Sequence, residues 1–456
     1  MIDFDKFVKY SKAGPRYTSY PTAVEFAEKF THDNFIEQLK KSNEKNRPLS
    51  LYFHLPFCRS ACYFCGCNVV FTSKDEKKTR YIEYLKKELA ILSQYLDVKR
   101  NVSQLHFGGG TPTFFSAEEL REIIALIRSY FTNFEKDAEI SCEIDPRFLN
   151  EEQMKVLTDG GFNRISFGVQ DFDEKVQEAV HRVQSFELTK AAVDLARRYG
   201  IESINMDLIY GLPYQTFESF KETLKKSIQL DVDRFAVFNY AHVPWLKKTM
   251  RKLDETTMPH PSEKLSILKF TIDYMGEMGY KMIGMDHFAK PTDELCLAVD
   301  KGELHRNFQG YTTKGGSDLI GVGLTSISEL DGCYSQNYKE MDEYEAMIDA
   351  GKLPVHRGIA LTEDDKIRKM AIMDLMGSFR LSFEALDKEF GINSKEYFKD
   401  ALNQLKEFEA DELLKITDEA IEISPTGRMV VRNISMAFDA YLSADDANKN
   451  KFSKTV

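Results

Sequence analysis

From about residue 49 to residue 245 one unit recurs: a short β-branched or aromatic run, a polar turn, then a stretch of helical periodicity. The strand candidates are "LSLYFHLP", "SQLHFGGG", "AEISCEID", "NRISFGVQ", "SINMDLIYGLP" and "DRFAVFNYAHV". Between them, "SAEELREIIALIRSYF" repeats Leu120, Ile123, Ile124 and Ile127 at helical spacing, with Ser116 and Glu119 placed as a capping box. In "FELTKAAVDLARRYGI" the apolar positions Leu188, Ala192, Leu195 and Tyr199 recur likewise, and Gly200 stands where the helix should stop. A helix after every strand returns the chain to the same end of the sheet, so the strands run parallel in right-handed βαβ units. Six units in succession favour a full or partial (β/α) barrel over an open sheet. The predicted class is α/β.

The residues with chemical potential stand at the strand exits. They are the cysteines after the first strand, "GGGTPT" after the second, Glu143, Gln170 and Asp207 in the next three, and "NYAHV" in the sixth. In a barrel the strand C-termini form one rim, which brings such segments onto one site. Residues 1–47 precede the repeat as an N-terminal arm; their "GPRYTSYPTA" is too rich in Arg, Tyr and Pro for a plain linker. After residue 245 come a helical stretch, two strand-like runs ("YKMIGMDHFA" and "SDLIGVGLTSIS") and the insertion "LHRNFQGYTTKGG", which complete a barrel domain of residues 48–359. Residues 360–456 read as a small, mainly helical domain with a partly frayed tail, "ADDANKNKFSKTV".

Bulk properties exclude two function classes. A net charge of −11 without a dense Lys/Arg block argues against a nucleic-acid platform. The apolar runs are short and broken by charge, so no membrane span is available. The opening residues carry neither the apolar core of a secretion signal nor the Arg/Ser bias of a transit peptide, which predicts a cytoplasmic protein. Clustered thiols in that compartment read as metal ligands or redox groups rather than disulfides.

Four of the seven cysteines, Cys58, Cys62, Cys65 and Cys67, fall inside "CRSACYFCGC". The spacing differs from zinc ribbons, which pair two distant Cys-x2-Cys knuckles. Clusters that only carry electrons have a protein ligand on every iron. Three thiolates on a four-iron cluster would leave one iron open, as a catalytic centre needs. Zinc held by three or four of these cysteines is the main alternative, with disulfides behind it. For Cys67 the plain alternative is a small buried thiol.

The run "CRSACYFCGC" resembles the cluster loop of the radical S-adenosylmethionine (SAM) enzymes. Taken with "GPRYTSYPTA", "GGGTPT", "EIDPR", "FGVQDF", "DLIYGLP", "FNYAHVP", "IGMDHFA" and "LHRNFQGYTT", the chain from about Tyr10 onward closely resembles the oxygen-independent coproporphyrinogen III oxidases. The resemblance implies that Cys58, Cys62 and Cys65 hold one [4Fe–4S] cluster, whose open iron chelates SAM. Cys67 resembles a fourth cysteine that these oxidases need for activity but that is not an ordinary cluster ligand. Related haem chaperones generally lack it, and usually lack the "RYTSYPT" arm as well.

Further roles carry over by position. Tyr52 and Phe64 resemble SAM contacts, although a core role for Tyr52 is the plain alternative. Gly109, Gly110 and Thr111 would let backbone N–H groups approach the amino acid end of SAM. Glu143 and Gln170 suit ribose hydroxyls or the ammonium group; Arg182 and Asp207 match further SAM contacts, with a surface ion pair as the alternative for each. Ala241 and Ile327 match backbone or apolar contacts. Arg16, His287 and Arg306 lie in phrases expected near the four propionates of the substrate.

The implied activity is oxidative decarboxylation of two propionates of coproporphyrinogen III to vinyl groups without oxygen. It would consume two SAM molecules and electrons from a donor such as flavodoxin or ferredoxin, in a protein expected to be a monomer. A haem chaperone and a haem-modifying radical enzyme on the same fold are the rivals, and Cys67 and the Arg16 arm argue against the chaperone.

Overall fold

The computed structural model describes residues 9, 10 and 12–442; the tail "ADDANKNKFSKTV" lies outside them. All six expected strands form: β1 (Leu49–Leu55), β2 (Val102–Gly109), β3 (Phe134–Ile144), β4 (Arg164–Gln170), β5 (Ser203–Tyr210) and β6 (Arg234–Asn239). They pair in parallel in chain order. Beyond β6 lies the short antiparallel β7 (His287–Ala289), bordered by Lys281–Met282. On the other side β8 (Asp318–Val322) runs parallel to β1. An antiparallel meander of β9 (Ile327–Leu330), β10 (Cys333–Asn337) and β11 (Val355–Ala360) then continues the sheet. The two edges, β11 and Lys281–Met282, do not pair with each other, so this is a partial barrel.

Each of the two late strand-like runs folds as two strands. In "SDLIGVGLTSIS" the chain turns at Gly323 (φ 96°) and Thr325 (φ 61°), and β9 returns antiparallel. In "YKMIGMDHFA" a bond from Ile283 N–H to His287 O (2.9 Å) closes the hairpin. β10 and β11 escape a sequence reading because "CYSQN" and "VHRGIA" are short and carry no clean alternation.

Strand alternation assigns the two faces of the sheet. The odd positions of β1 (Leu51, Phe53) and their neighbours Leu105, Phe107, Ile140, Ile165, Phe167, Ile204 and Met206 are buried. They form the main core with the outer helices α2 (Asp75–Leu92), α3 (Ala117–Tyr130), α4 (Glu151–Asp159), α5 (Phe186–Arg198) and α6 (Phe217–Ile228); α1 (His32–Lys45) packs beside the meander. The intervening positions, including Tyr52, His106, Ser141, Ser166, Asn205 and Asp207, are half-buried and polar. The sheet therefore curls around a polar lumen rather than an aliphatic plug.

Caps set the helix starts. Ser116 Oγ accepts from Glu119 N–H (3.2 Å) while the Glu119 carboxylate accepts from Ser116 N–H (2.7 Å), as expected. On α5 the buried stripe is Thr189, Ala192, Val193 and Ala196, whereas Leu188 is exposed and Leu195 and Tyr199 are half-buried. The small residues, not the large ones, face the sheet, and they let helix and strands approach closely. Gly200 (φ 81°) does follow the last turn.

The C-terminal region comprises α7 (Glu363–Ser378), further helices, and a three-stranded antiparallel sheet of β12 (Arg380–Ser382), β13 (Leu414–Ile416) and β14 (Ala420–Ile423), with β14 central. Its core of Ile372, Leu375, Leu381, Leu405, Val430 and Ile434 also contains Tyr10, Tyr17 and Tyr20 of the arm. Tyr10 stacks on Phe408 (4.5 Å), and Tyr17 OH donates to Asp439 (2.8 Å). The aromatic richness of the arm thus serves docking onto the C-terminal region.

Candidate active site

The cysteine loop leaves β1 at the rim. Cys58, Cys62 and Cys65 are half-buried free thiols, and Cys67 is an exposed one. Arg182 and Arg147 flank Cys62: Arg182 Nη1 lies 3.6 Å and Arg147 Nη2 4.0 Å from its Sγ. Asp145, at the exit of β3, holds both guanidiniums, with Arg147 Nη2 at 2.7 Å and Arg182 Nη1 at 3.1 Å. Arg182 also donates to Gly168 O, while its buried Nε has no partner. Cys62 Sγ thus faces two guanidiniums that share one carboxylate partner. Among the described residues no three His, Cys, Asp or Glu side chains close around a single-ion position.

The glycines differ from expectation in one respect. Their N–H groups are already engaged: Gly110 donates to Leu55 O (2.9 Å), Thr111 to Phe57 O (2.9 Å) and Gly109 to the Glu143 carboxylate (3.3 Å). What the sequence requires there is close approach. A Cβ on Gly110 would stand 2.6 Å from Phe57 O, and one on Gly109 (φ 113°) 2.6 Å from the His54 ring. Bare backbone locks the β2 exit against the root of the cysteine loop.

Inside the rim, Glu143 Oε1 lies 3.4 Å from His106 Nε2, and His106 Nδ1 lies 2.6 Å from Ser141 Oγ. Tyr52 stacks on His106 (5.8 Å), and its hydroxyl lies 3.0 Å from His54 Nδ1. His54 Nε2 lies 2.9 Å from Asn68 O, tying the lumen back to the cysteine loop. Burial pushes the His54 imidazole down to about 4, so it is neutral. Crowding opposes ionisation of Glu143, but hydrogen bonds from His106 and Gly109 hold its carboxyl below the ordinary value. Asp207 accepts from Asn205 Nδ2 (2.7 Å) and Ser166 Oγ (3.1 Å), and burial and the Glu143 charge push it up to about 6.

Gln170 caps β4 in a left-handed conformation (φ 72°) and is buried. Phe64 packs with Val176, Val180, Leu212 and Tyr240. The Ile327 carbonyl fills the space over Gly321, the β8 partner of Tyr52. Ala241 follows β6 and is half-buried.

Arg16, His287 and Arg306 converge on one carboxylate. Asp286 Oδ1 lies 2.6 Å from His287 Nδ1, and although burial opposes its ionisation, His287, Arg306 and Arg16 hold it well below the usual carboxylate range. Arg306 lies over the Tyr311 ring (4.8 Å), and its Nε and Nη1 are buried without partners. His287 continues the register row Gly168, Asp207, Ala236, so this basic end opens into the same lumen as Glu143 and Asp207. A cavity of about 500 Å³ at the opposite strand ends, lined by Ser50, Gln104, Arg306 and Lys314, reaches none of the cysteine-side residues.

Sequence reasoning missed a third arginine. Arg432 donates to Pro15 O (2.9 Å) and Gly14 O (2.6 Å), which fixes the arm beside Arg16. Burial, Arg16 and Arg306 push its guanidinium down to about 9. No local signal marks it, since it is 417 positions from Pro15. Asp145, Arg147 and Asp286 were legible inside "EIDPR" and "IGMDHFA", and His106 through the period-two pattern of β2.

Comparison with known proteins agrees with this geometry. Residues 52–226 match the Radical SAM superfamily, and residues 361–430 match the HemN C-terminal domain. An oxygen-independent coproporphyrinogen III oxidase from Helicobacter pylori (strain J99) is 55% identical over 457 residues, covering 100% of this chain and 99% of the relative. The Escherichia coli K12 protein of the same name is 44% identical over 457 residues, at 100% and 99% coverage. The solved structure of E. coli coproporphyrinogen III oxidase (HemN), described as a radical SAM enzyme, superimposes with a TM-score of 0.91 at 44% identity, over 97% of this chain and 100% of that one. The chain belongs to the oxygen-independent coproporphyrinogen III oxidase family of radical SAM enzymes.

Proposed function

We propose that this protein converts the two reacting propionates of coproporphyrinogen III to vinyl groups, giving protoporphyrinogen IX in haem biosynthesis. Each propionate loses one hydrogen atom, CO2 and one electron. The observation that carries the reading is a single polar lumen with thiols at one end and a cluster of arginines at the other. The family implies a [4Fe–4S] cluster and SAM. The donor set fits: three free thiols on one loop, two guanidiniums beside them, and a carboxylate facing the same space. Cys58, Cys62 and Cys65 would hold one cluster per chain; bound there with SAM, it supplies the electron that cleaves SAM and so the hydrogen-abstracting radical.

The chain's own residues do the rest. Arg147 and Arg182 balance negative charge at the cysteine loop. Glu143, Gln170 and Asp207 bind the polar parts of SAM, while Tyr52, Phe64, Ala241 and Ile327 hold its ring and chain. Arg16, Arg306 and Arg432 receive the propionates through charge-assisted bonds that a net-acidic chain must concentrate locally. His287, held by Asp286, stands with them at the propionate end. The arm, by docking on the C-terminal region, covers the lumen and keeps water out. Cys67 and this arm favour the oxidase over a haem chaperone or a haem-modifying enzyme.

No helix among the described residues is long and apolar enough to cross a membrane; we take the protein to be a cytoplasmic monomer reduced by a flavodoxin or ferredoxin. Anaerobic incubation with coproporphyrinogen III, SAM and a reductant should yield protoporphyrinogen IX by chromatography. Recovery of unchanged coproporphyrin from a protein with full cluster content would refute the activity.

A further inference from the structure

The cysteine loop borders a surface segment for which catalysis has no use. After β6 the chain runs through "VPWLKKTMRK", residues 243–252. Trp245, the one tryptophan of the protein, is 47% exposed and Leu246 is 66% exposed. Lys247, Lys248, Arg251 and Lys252 follow, and among the described residues none of them pairs with a carboxylate. Lys247 Nζ instead donates to Cys67 O (3.1 Å), Arg251 Nε to Pro244 O (2.9 Å), and Lys252 lies over the Tyr63 ring (4.7 Å). The neighbouring acids are occupied, since Asp254 caps the next turn and Glu255 pairs with His242 (2.9 Å).

Beneath this surface Tyr240, Met250 and Leu253 share an apolar cluster with Tyr63 and Phe64 of the cysteine loop. The segment is thus joined to the loop while it displays Trp245, Leu246, Lys248, Arg251 and Lys252 outward. An aromatic centre ringed by charge is the composition of a protein-docking surface. In a chain of net charge −11, such a patch attracts an acidic partner to this face.

We propose that residues 245–252 are the docking surface for a small acidic one-electron carrier protein. The carrier is oxidised by one electron there, and the cluster on the adjoining loop is reduced by one. The inference rests on the cluster reading above, so the test separates the two. The full-length reconstituted protein is titrated anaerobically with a purified acidic flavodoxin by biolayer interferometry at several salt concentrations. The double variant Lys248→Glu/Arg251→Glu should raise the Kd about tenfold or more and flatten its salt dependence. Trp245→Ala should weaken binding while keeping the salt dependence. Both variants should turn over normally with dithionite and slowly with the flavodoxin.

Unchanged flavodoxin affinity in the variants, or no binding by the parent protein, overturns the proposal. Loss of binding to phosphatidylglycerol vesicles with flavodoxin binding intact would also overturn it, in favour of a membrane surface. Failure of the parent protein with dithionite as well would count against the proposed activity instead.

Discussion

Replacing Glu143 with alanine separates ligand binding from folding at the rim. Its side chain is 47% exposed to the lumen, and its two contacts within the protein, at 3.3 Å to Gly109 N–H and 3.4 Å to His106, are at the weak end of hydrogen bonding. Losing them should cost the fold less than about 1.5 kcal/mol. A charged hydrogen bond to SAM is worth about 1.5–3 kcal/mol, so the Kd for SAM should rise roughly 10- to 150-fold. Glu143→Gln, which keeps shape and one acceptor but no charge, should fall between. Because the Glu143 charge helps to push Asp207 up to about 6, either variant should also let Asp207 ionise at lower pH. The assay is anaerobic SAM titration of reconstituted protein at several pH values, with circular dichroism as the folding control. Unchanged affinity would remove Glu143 from the ligand site. Collapse of the protein would make it a structural residue.

Serine at Cys58, Cys62 or Cys65 should abolish the iron–sulfur absorbance, whereas Cys67→Ser should keep it and lose vinyl formation; full cluster content in any of the first three would contradict the ligand assignment. Arg432→Gln removes two charge-assisted bonds that hold the arm, so KM for coproporphyrinogen III should rise at least about tenfold while SAM affinity stays unchanged. Limited proteolysis should then cut near Gly14, and equal resistance in parent and variant would argue against the tether. Glu88 accepts from Tyr344 OH (2.6 Å), Gly323 N–H (2.8 Å) and Asn337 Nδ2 (2.9 Å), and burial pushes its carboxyl from 4.5 up to about 7. The folded state holds that proton more tightly than the unfolded chain does. Its stabilisation is therefore complete below about pH 4.5 and is lost as pH rises through about 7, a change on the order of 3 kcal/mol. Urea midpoints at pH 5 and pH 8 should differ less in Glu88→Gln than in the parent.

The strand–helix repeat, the four-cysteine loop and the polar rim positions were legible because each is a local pattern. Alternation in "SLYFHL" and "EISCEI" fixes which side chains point inward, whatever the rest of the chain does. Capping at Ser116 is likewise a matter of four residues, Ser116 to Glu119. The family phrases carried the candidate ligands with them. Arrangements between distant segments were not legible. That Arg432 holds Gly14 and Pro15, that three arm tyrosines belong to the C-terminal core, and that α5 turns its alanines inward are all consequences of packing. The same holds for charge: Asp207 and Asp286 are ordinary aspartates in the sequence, yet one is raised by its burial and a neighbour of like sign and the other lowered by His287 and two arginines. A side chain's environment is set by what the fold brings within a few ångströms, and sequence neighbours supply only part of it.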